Sequence, residues 1–195
     1  MALDSDTRSQ FLATIRRFVN ERLIPLEARV SDEDEIPADA LSEMKALGLF
    51  GMSIPEEYGG LGLSMEDEAE VLFEFCRCST AFRSAFGTNV GIGSQGLVLA
   101  GSEEQKRKYL PGIASGESII SFGLTEPGSG SDAGSLRTRA IRDGDSFIID
   151  GAKRFITNAD KANFFTVLAR TRADVRGGAG VSAFIVPRET PGLSV

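Results

Sequence analysis

The hydrophobic period changes once along this 195-residue chain, near Ile119, and that change limits the architectures open to it. Before it, apolar residues recur at helical spacing. Phe11, Ile15, Val19 and Leu23 stand four apart, and Leu41, Met44 and Leu47 share a face. After it, they come in short runs bounded by polar or glycine-rich turns, at residues 119–124, 147–149, 164–168 and 181–186. Local signals agree. Asp4 to Asp6 can cap a first helix, Pro37 suits a first helical turn, and Gly48 can close that helix. Ser64 with Asp67, and Ser102 with Gln105, read as capping boxes. The second opens a short helix expected to stop near Pro111. Leu72, Phe75 and Cys76 are expected to share a helical face, and the helices around residues 71–78 and 82–99 are marked by Gly87, Gly91, Gly93 and Gly96. Residues 136–142 look extended, Asp143-Gly144-Asp145 is a turn, and Gly177 to Gly180 reads as a mobile loop. Helices followed by strands without alternation predict an α+β chain, not a βαβ fold. The expectation is a helical domain over 1–117 joined to an antiparallel β domain over 118–195, with the sheet incomplete at Val195.

Composition removes several chemistries. There is no histidine, so a Ser-His-Asp triad, a Cys-His pair and a His-ligated zinc are excluded within these residues. A net charge of −7 argues against a general nucleic-acid binder. Cys76 and Cys78 stand two apart in an expected helix, point to different faces and suit a reducing compartment. No apolar run approaches the roughly 20 residues of a membrane span. The acidic start shows neither a secretory nor a transit signal, so the expected location is the cytoplasm of a bacterium or, in a eukaryote, a mitochondrial matrix reached without one. Difficult chemistry in such a chain would come from a cofactor.

Residues 122–132, Phe-Gly-Leu-Thr-Glu-Pro-Gly-Ser-Gly-Ser-Asp, run from a strand into a loop of small residues. Glycines let backbone amides approach an anion, and Ser129 and Ser131 add hydroxyl donors. No helix pattern follows, so this is neither a Walker loop nor a dinucleotide fingerprint. Physics alone leaves two readings open, an anion-binding loop and a plain surface turn.

The same segment resembles the acyl-CoA dehydrogenase signature, in which Leu-Thr-Glu-Pro leads into a small-residue loop ending in Ser-Asp. Residues 153–158, Lys-Arg-Phe-Ile-Thr-Asn, resemble that family's second flavin strand. Residues 48–62, 101–111 and 183–192 agree in order, so the likeness spans essentially the whole chain. It implies FAD as cofactor, with Phe122, Leu124 and Thr125 along one side of the flavin and Thr125 donating toward the pyrimidine end. It implies Phe155, Ile156 and Thr157 beside N5, the atom that accepts hydride from the substrate β-carbon, and Ser131 on the diphosphate or the CoA chain. Phe155 stands where some members carry Trp. Glu126 and Asp132 read better as loop-anchoring carboxylates than as a general base, because a base must reach its proton.

The resemblance further implies α,β-dehydrogenation of an acyl-CoA thioester to a trans-2-enoyl-CoA in β-oxidation. Electrons would pass to electron-transferring flavoprotein, and the full-length enzyme would be a homo-oligomer, dimer or tetramer, with no nucleic-acid or membrane partner. The family's base is a carboxylate in a C-terminal helical domain, to which nothing in these residues corresponds. The expectation is therefore a fragment, a processed piece, or a half-subunit that binds flavin and CoA only with a partner chain. An oxygen-using, acyl-CoA oxidase-like flavoenzyme is the alternative within the superfamily. Arg83-Ser84 is similar to an aromatic-Arg-Ser of the glutaryl-CoA dehydrogenase branch, where the Arg meets the far carboxylate of a dicarboxylic substrate. Cys76 stands where that branch carries an acidic pocket residue.

Overall fold

The computed structural model describes residues 3–195. The chain forms two compact units, Met1–Ser118 and Ile119–Val195.

The first unit is helical: α1 (Ser5–Phe18), α2 (Glu27–Glu33), α3 (Ala38–Ala46), α4 (Met65–Phe75), α5 (Thr80–Val90), α6 (Gln95–Ala100) and α7 (Glu103–Ser115). Asp4 caps α1 by accepting from the amides of Asp6 and Thr7. Ile15, Val19 and Leu23 are all buried, but a strict spacing of four outruns the 3.6-residue period of an α-helix. A π-helical turn over Val19–Leu23 follows α1 and, being wider, takes up the excess. The packed centre holds Phe50, Phe75, Phe82 and Phe86. Phe86 meets Phe50 and Phe75 edge-on, at ring separations of 6.2 and 5.1 Å. Buried carboxylates strap α1 to α4: Asp67 pairs with Arg8 at 2.6 Å, and Glu74 with Arg16 at 2.6 Å.

Three expectations for this unit change. α7 does not stop at Pro111 but runs through it to Ser115, ending where Gly116 adopts φ 73°. Proline removes one backbone donor there. The full Ser102–Gln105 capping box at the other end, and Asn89 bonding the Ile113 and Ser118 carbonyls, hold the helix regardless. Cys76 is the C-cap of α4 and exposed, whereas Val71, Glu74, Phe75 and Cys78 face inward. Residues 82–99 form two helices, parted by the turn at 91–94.

The second unit is a five-stranded sheet: β1 (Ile120–Gly123), β2 (Arg139–Asp143), β3 (Ser146–Asp150), β4 (Phe164–Arg170) and β5 (Val181–Pro187). β2 and β3 form an antiparallel hairpin through Gly144 and Asp145, with Gly144 at φ 59°. β5 is antiparallel to β4 along its whole length, Phe164 to Arg170. The sheet is nevertheless mixed, not purely antiparallel, because β1 and β2 both run parallel to β4. Hairpin signals report only neighbouring strands, and some forty residues separate β1 from β4. With β5 filling one edge of β4, β1 and β2 share the other. β1 covers Phe164 to Val167 and β2 takes over at Arg170. Residues 124–138 are thus an excursion that leaves this edge and returns to it a few residues further along. Ala162, Phe165, Val167 and Val186 are the core of the sheet face, joined by Ile149, Ile156 and Phe184. The 177–180 stretch is a short 3-10 turn leading into β5.

Among the described residues, no helix is long and apolar enough to cross a membrane, and no group of three His, Cys, Asp or Glu side chains could hold a metal ion.

Candidate flavin site

Residues 153–158 are not a strand. They cross beside the exit of β1 held by individual bonds, with Phe155 at φ 57° and Asn158 at φ 60°, conformations that break any ladder. Four hydrogen bonds lay this segment against 121–126. Ser121 Oγ donates to the Thr157 carbonyl at 2.7 Å, and Lys153 Nζ to the Leu124 carbonyl at 3.0 Å. The Arg154 amide donates to the Thr125 carbonyl at 2.8 Å, and Lys153 Nζ to Glu126 Oε1 at 2.8 Å. The two threonine-bearing segments are thus brought side by side.

Glu126 is the joint. Only 7% exposed, it also accepts from the amides of Arg137 (2.6 Å) and Thr138 (2.9 Å), eleven and twelve residues on. Its carboxylate therefore closes the neck of the 124–138 excursion. Burial alone would raise its pKa. The Lys153 ammonium, Thr138 and the two amides outweigh burial and hold it at about 2. So weak a base is unsuited to proton abstraction near neutral pH, and the anchoring role is the one the geometry gives it. Asp132 is likewise engaged, accepting from the Ser135 hydroxyl.

The side chains between these ties differ in exposure. Phe155 is 79% exposed, with the Arg154 guanidinium 4.4 Å from its ring centre. A bulky exposed aromatic held in left-handed backbone is strain of the kind that gathers at binding sites. Thr157 and Ser131 are exposed; Phe122, Leu124 and Thr125 are half-buried. Ile156 turns the other way and packs on the sheet core, so it anchors the segment between two outward neighbours. An exposed aromatic, flanking hydroxyls and an adjoining loop with unbonded amides suit a planar ring that carries phosphates, and FAD fits that description.

Arg83 and Ser84 lie on α5 in the helical unit. Arg83 is exposed, and among the described residues it makes no hydrogen bond or ion pair. Its guanidinium lies over Gly87, where a Cβ would stand 2.5 Å from Nη1. Lys153 stands out in the sequence only as part of a motif, and Arg170 carries no local signal. A buried acid such as Glu126 requires a basic partner, which is the one clue that could have singled out Lys153.

Comparison with known proteins gives the family. The model of the acyl-CoA dehydrogenase N-terminal domain matches residues 5–117, and that of the middle domain residues 121–195. The chain belongs to the acyl-CoA dehydrogenase family. It is 39% identical over 181 residues to an acyl-CoA dehydrogenase of Bacillus subtilis, covering 93% of this chain and 48% of that one. A glutaryl-CoA dehydrogenase structure from Mycobacterium smegmatis superposes with a TM-score of 0.87 at 36% identity, over 98% of this chain and 48% of that one. An acyl-CoA dehydrogenase complexed with FAD from Bacillus anthracis gives 0.83 at 36% identity, over 98% and 32%. The chain spans about half the length of the curated relatives it matches, or less.

Proposed function

We infer that this chain binds FAD and an acyl-CoA thioester and takes part in α,β-dehydrogenation to the trans-2-enoyl-CoA, with electrons passing to electron-transferring flavoprotein. The observation that carries the reading is the four-bond pairing of 121–126 with 153–157. It fixes two segments whose outward groups are hydroxyls and one aromatic ring. When bound, FAD supplies the acceptor for a hydride from the substrate β-carbon. Thr125 and Thr157 would hold the ring by donating from either side, and a fixed donor near developing negative charge favours the reduced state. Phe155 would cover it. Ser131 would meet diphosphate or the CoA chain. The α-proton goes to a carboxylate other than Glu126, whose oxygens are taken up by the Arg137 and Thr138 amides and by Lys153.

The test is the purified chain, alone and with FAD, mixed anaerobically with butyryl-CoA. Bound yellow flavin is expected, and Thr157→Val should weaken FAD binding about tenfold, one hydrogen bond's worth at the upper end. Equal FAD affinity in Thr157→Val and the parent would contradict the assignment. Bleaching by butyryl-CoA would support dehydrogenation by the chain itself. Flavin that appears only when a second polypeptide is added would favour the half-subunit, and rapid recolouring by oxygen the oxidase.

Arg83 favours a second reading, a substrate with an anionic tail: it is exposed and feels the Glu68 carboxylate only at a distance, without a hydrogen bond, so its guanidinium can still make a charge-assisted contact. Turnover of butyryl-CoA in preference to glutaryl-CoA would remove it.

A further inference from the structure

β4 ends in Arg170, whose backbone amide donates to the Thr138 carbonyl just beyond the neck that Glu126 closes. Its side chain reaches two loops at once. Nη2 donates to the Gly134 carbonyl at 2.6 Å and Nε to that of Leu136 at 3.4 Å, both in the small-residue excursion. Nη1 donates to the carbonyls of Val175 (2.9 Å) and Gly177 (3.3 Å), in the connection to β5. That connection wraps the guanidinium closely: a Cβ on Gly180 would lie 2.8 Å from Nη1 and 2.6 Å from the Val175 carbonyl. The loops also touch directly, since a Cβ on Gly134 would stand 3.1 Å from Gly177 Cα.

Two consequences follow. All four acceptors are neutral carbonyls, and among the described residues no carboxylate pairs with Arg170, so its charge is uncompensated. The carbonyls of Gly134 and Leu136 are committed to that cation. The amides of Gly130, Ser131, Asp132, Ala133 and Gly134 donate to no acceptor among the described residues. An excursion closed at its neck by an anion and fastened along its returning limb by a cation thus presents a run of unbonded donors beside a fixed positive charge. That combination attracts a phosphate group.

We propose that Arg170 is a positioning residue for a diphosphate-bearing ligand. It fastens the 128–136 loop to the 172–180 loop and supplies the charge behind the free amides. The proposal rests on the flavin reading for the identity of the ligand, not for the device itself. Lys, whose three donors sit on one atom, cannot reach four carbonyls spread over two loops as a guanidinium fork does, and a neutral side chain brings no charge.

The test uses the whole 195-residue chain labelled with ¹⁵N, inorganic pyrophosphate as probe, and the variants Arg170→Met, Arg170→Lys and, as a charge control at the distant hairpin, Arg142→Met. In the parent and in Arg142→Met, pyrophosphate is expected to shift the amides of Gly130 to Gly134. Arg170→Met should bind it about tenfold more weakly, the loss of one charged donor set. Amide exchange should quicken together at Ser135 and Leu136 and at Val175 and Gly180, the hydrogen-bonded amides of the two loops, while β4 and β5 stay protected. Arg170→Lys should recover part of the pyrophosphate affinity but not the joint protection, and it is the deciding arm if Arg170→Met does not fold. Unchanged protection of both loops in Arg170→Lys, or a pyrophosphate titration of Arg170→Met like the parent's, overturns the proposal. A parent chain that takes FAD but shows no pyrophosphate shifts at these amides also overturns it while leaving the flavin reading standing. A parent that responds to pyrophosphate and takes no flavin sinks the flavin reading and leaves Arg170's role supported.

Discussion

Glu126→Ala is expected to cost the β unit about 3–5 kcal/mol at pH 7, the usual price of breaking a buried ion pair from one side. The Lys153 ammonium would lose its counter-charge, and the amides of Arg137 and Thr138 their acceptor. The neck of the 124–138 excursion opens as a result. Because the excursion begins and ends on the same edge of β4, protection should fall first at the end of β1 and the start of β2, and amide exchange in those strands measures it. The same residue sets an acid limit. Its folded pKa, about 2, lies below the ordinary carboxylate value of 4.5. Its contribution is therefore fully present above about pH 4.5 and is lost as pH falls through that value toward 2. The shift corresponds to about 3 kcal/mol. Glu126→Gln should flatten this part of the acid unfolding curve of the β unit. An unchanged acid limb in Glu126→Gln would show that other carboxylates carry it.

Gly60→Ala should destabilise the helical unit by about 3 kcal/mol or more, through overpacking against backbone that has nowhere to go. A Cβ there would stand 2.0 Å from the Ile54 carbonyl oxygen and 2.7 Å from that of Gly51. Both oxygens are already accepting, from the amides of Gly62 and Leu61, so relief would break the turn that Pro55 to Gly62 makes. Gly96→Ala is the contrast. That site lies in α6 with nothing within 4 Å of a new Cβ and no left-handed φ, and the change should stabilise by about 0.5–1 kcal/mol. Unfolding midpoints of the two variants should move in opposite directions. Equal shifts would mean that the close approach at Gly60 is not maintained in solution.

The contrast between these glycines bears on what the sequence could reveal. Residues 48–62 stood out as a motif, and the structure supplies the physical reason for its glycines in a close backbone approach and turns with positive φ. What was legible was local. Asp4, Ser64 and the Ser102–Gln105 box cap helices within three residues of themselves, and Gly144 turns a hairpin whose strands adjoin it. What was not legible was set by distant partners. Parallel pairing of β1 with β4 depends on where a segment forty residues away returns. Continuation of α7 through Pro111 depends on contacts made by Asn89.

The candidate site shows the same division. The motifs marked 122–132 and 153–158, and the carboxylate of Glu126 anchors a loop as its composition suggested. The second motif is nevertheless held by bonds from Ser121 and to Thr125, not by a ladder, and alternation along it is broken by the left-handed Phe155. Ile156 consequently faces the core, not the outward side that the resemblance to flavin contacts implies for it. Arg170 sits at the end of an unremarkable strand, and only the return of two loops to its guanidinium makes it notable.

The decisive measurement is an amide and methyl chemical-shift titration of the chain with FAD. Phe122, Leu124, Thr125, Phe155 and Thr157 should shift together along one saturating isotherm, with the core-facing methyls of Ile156 little affected. Saturation that moves only one of the two segments, or leaves both at their starting positions, would contradict a flavin platform built from their pairing.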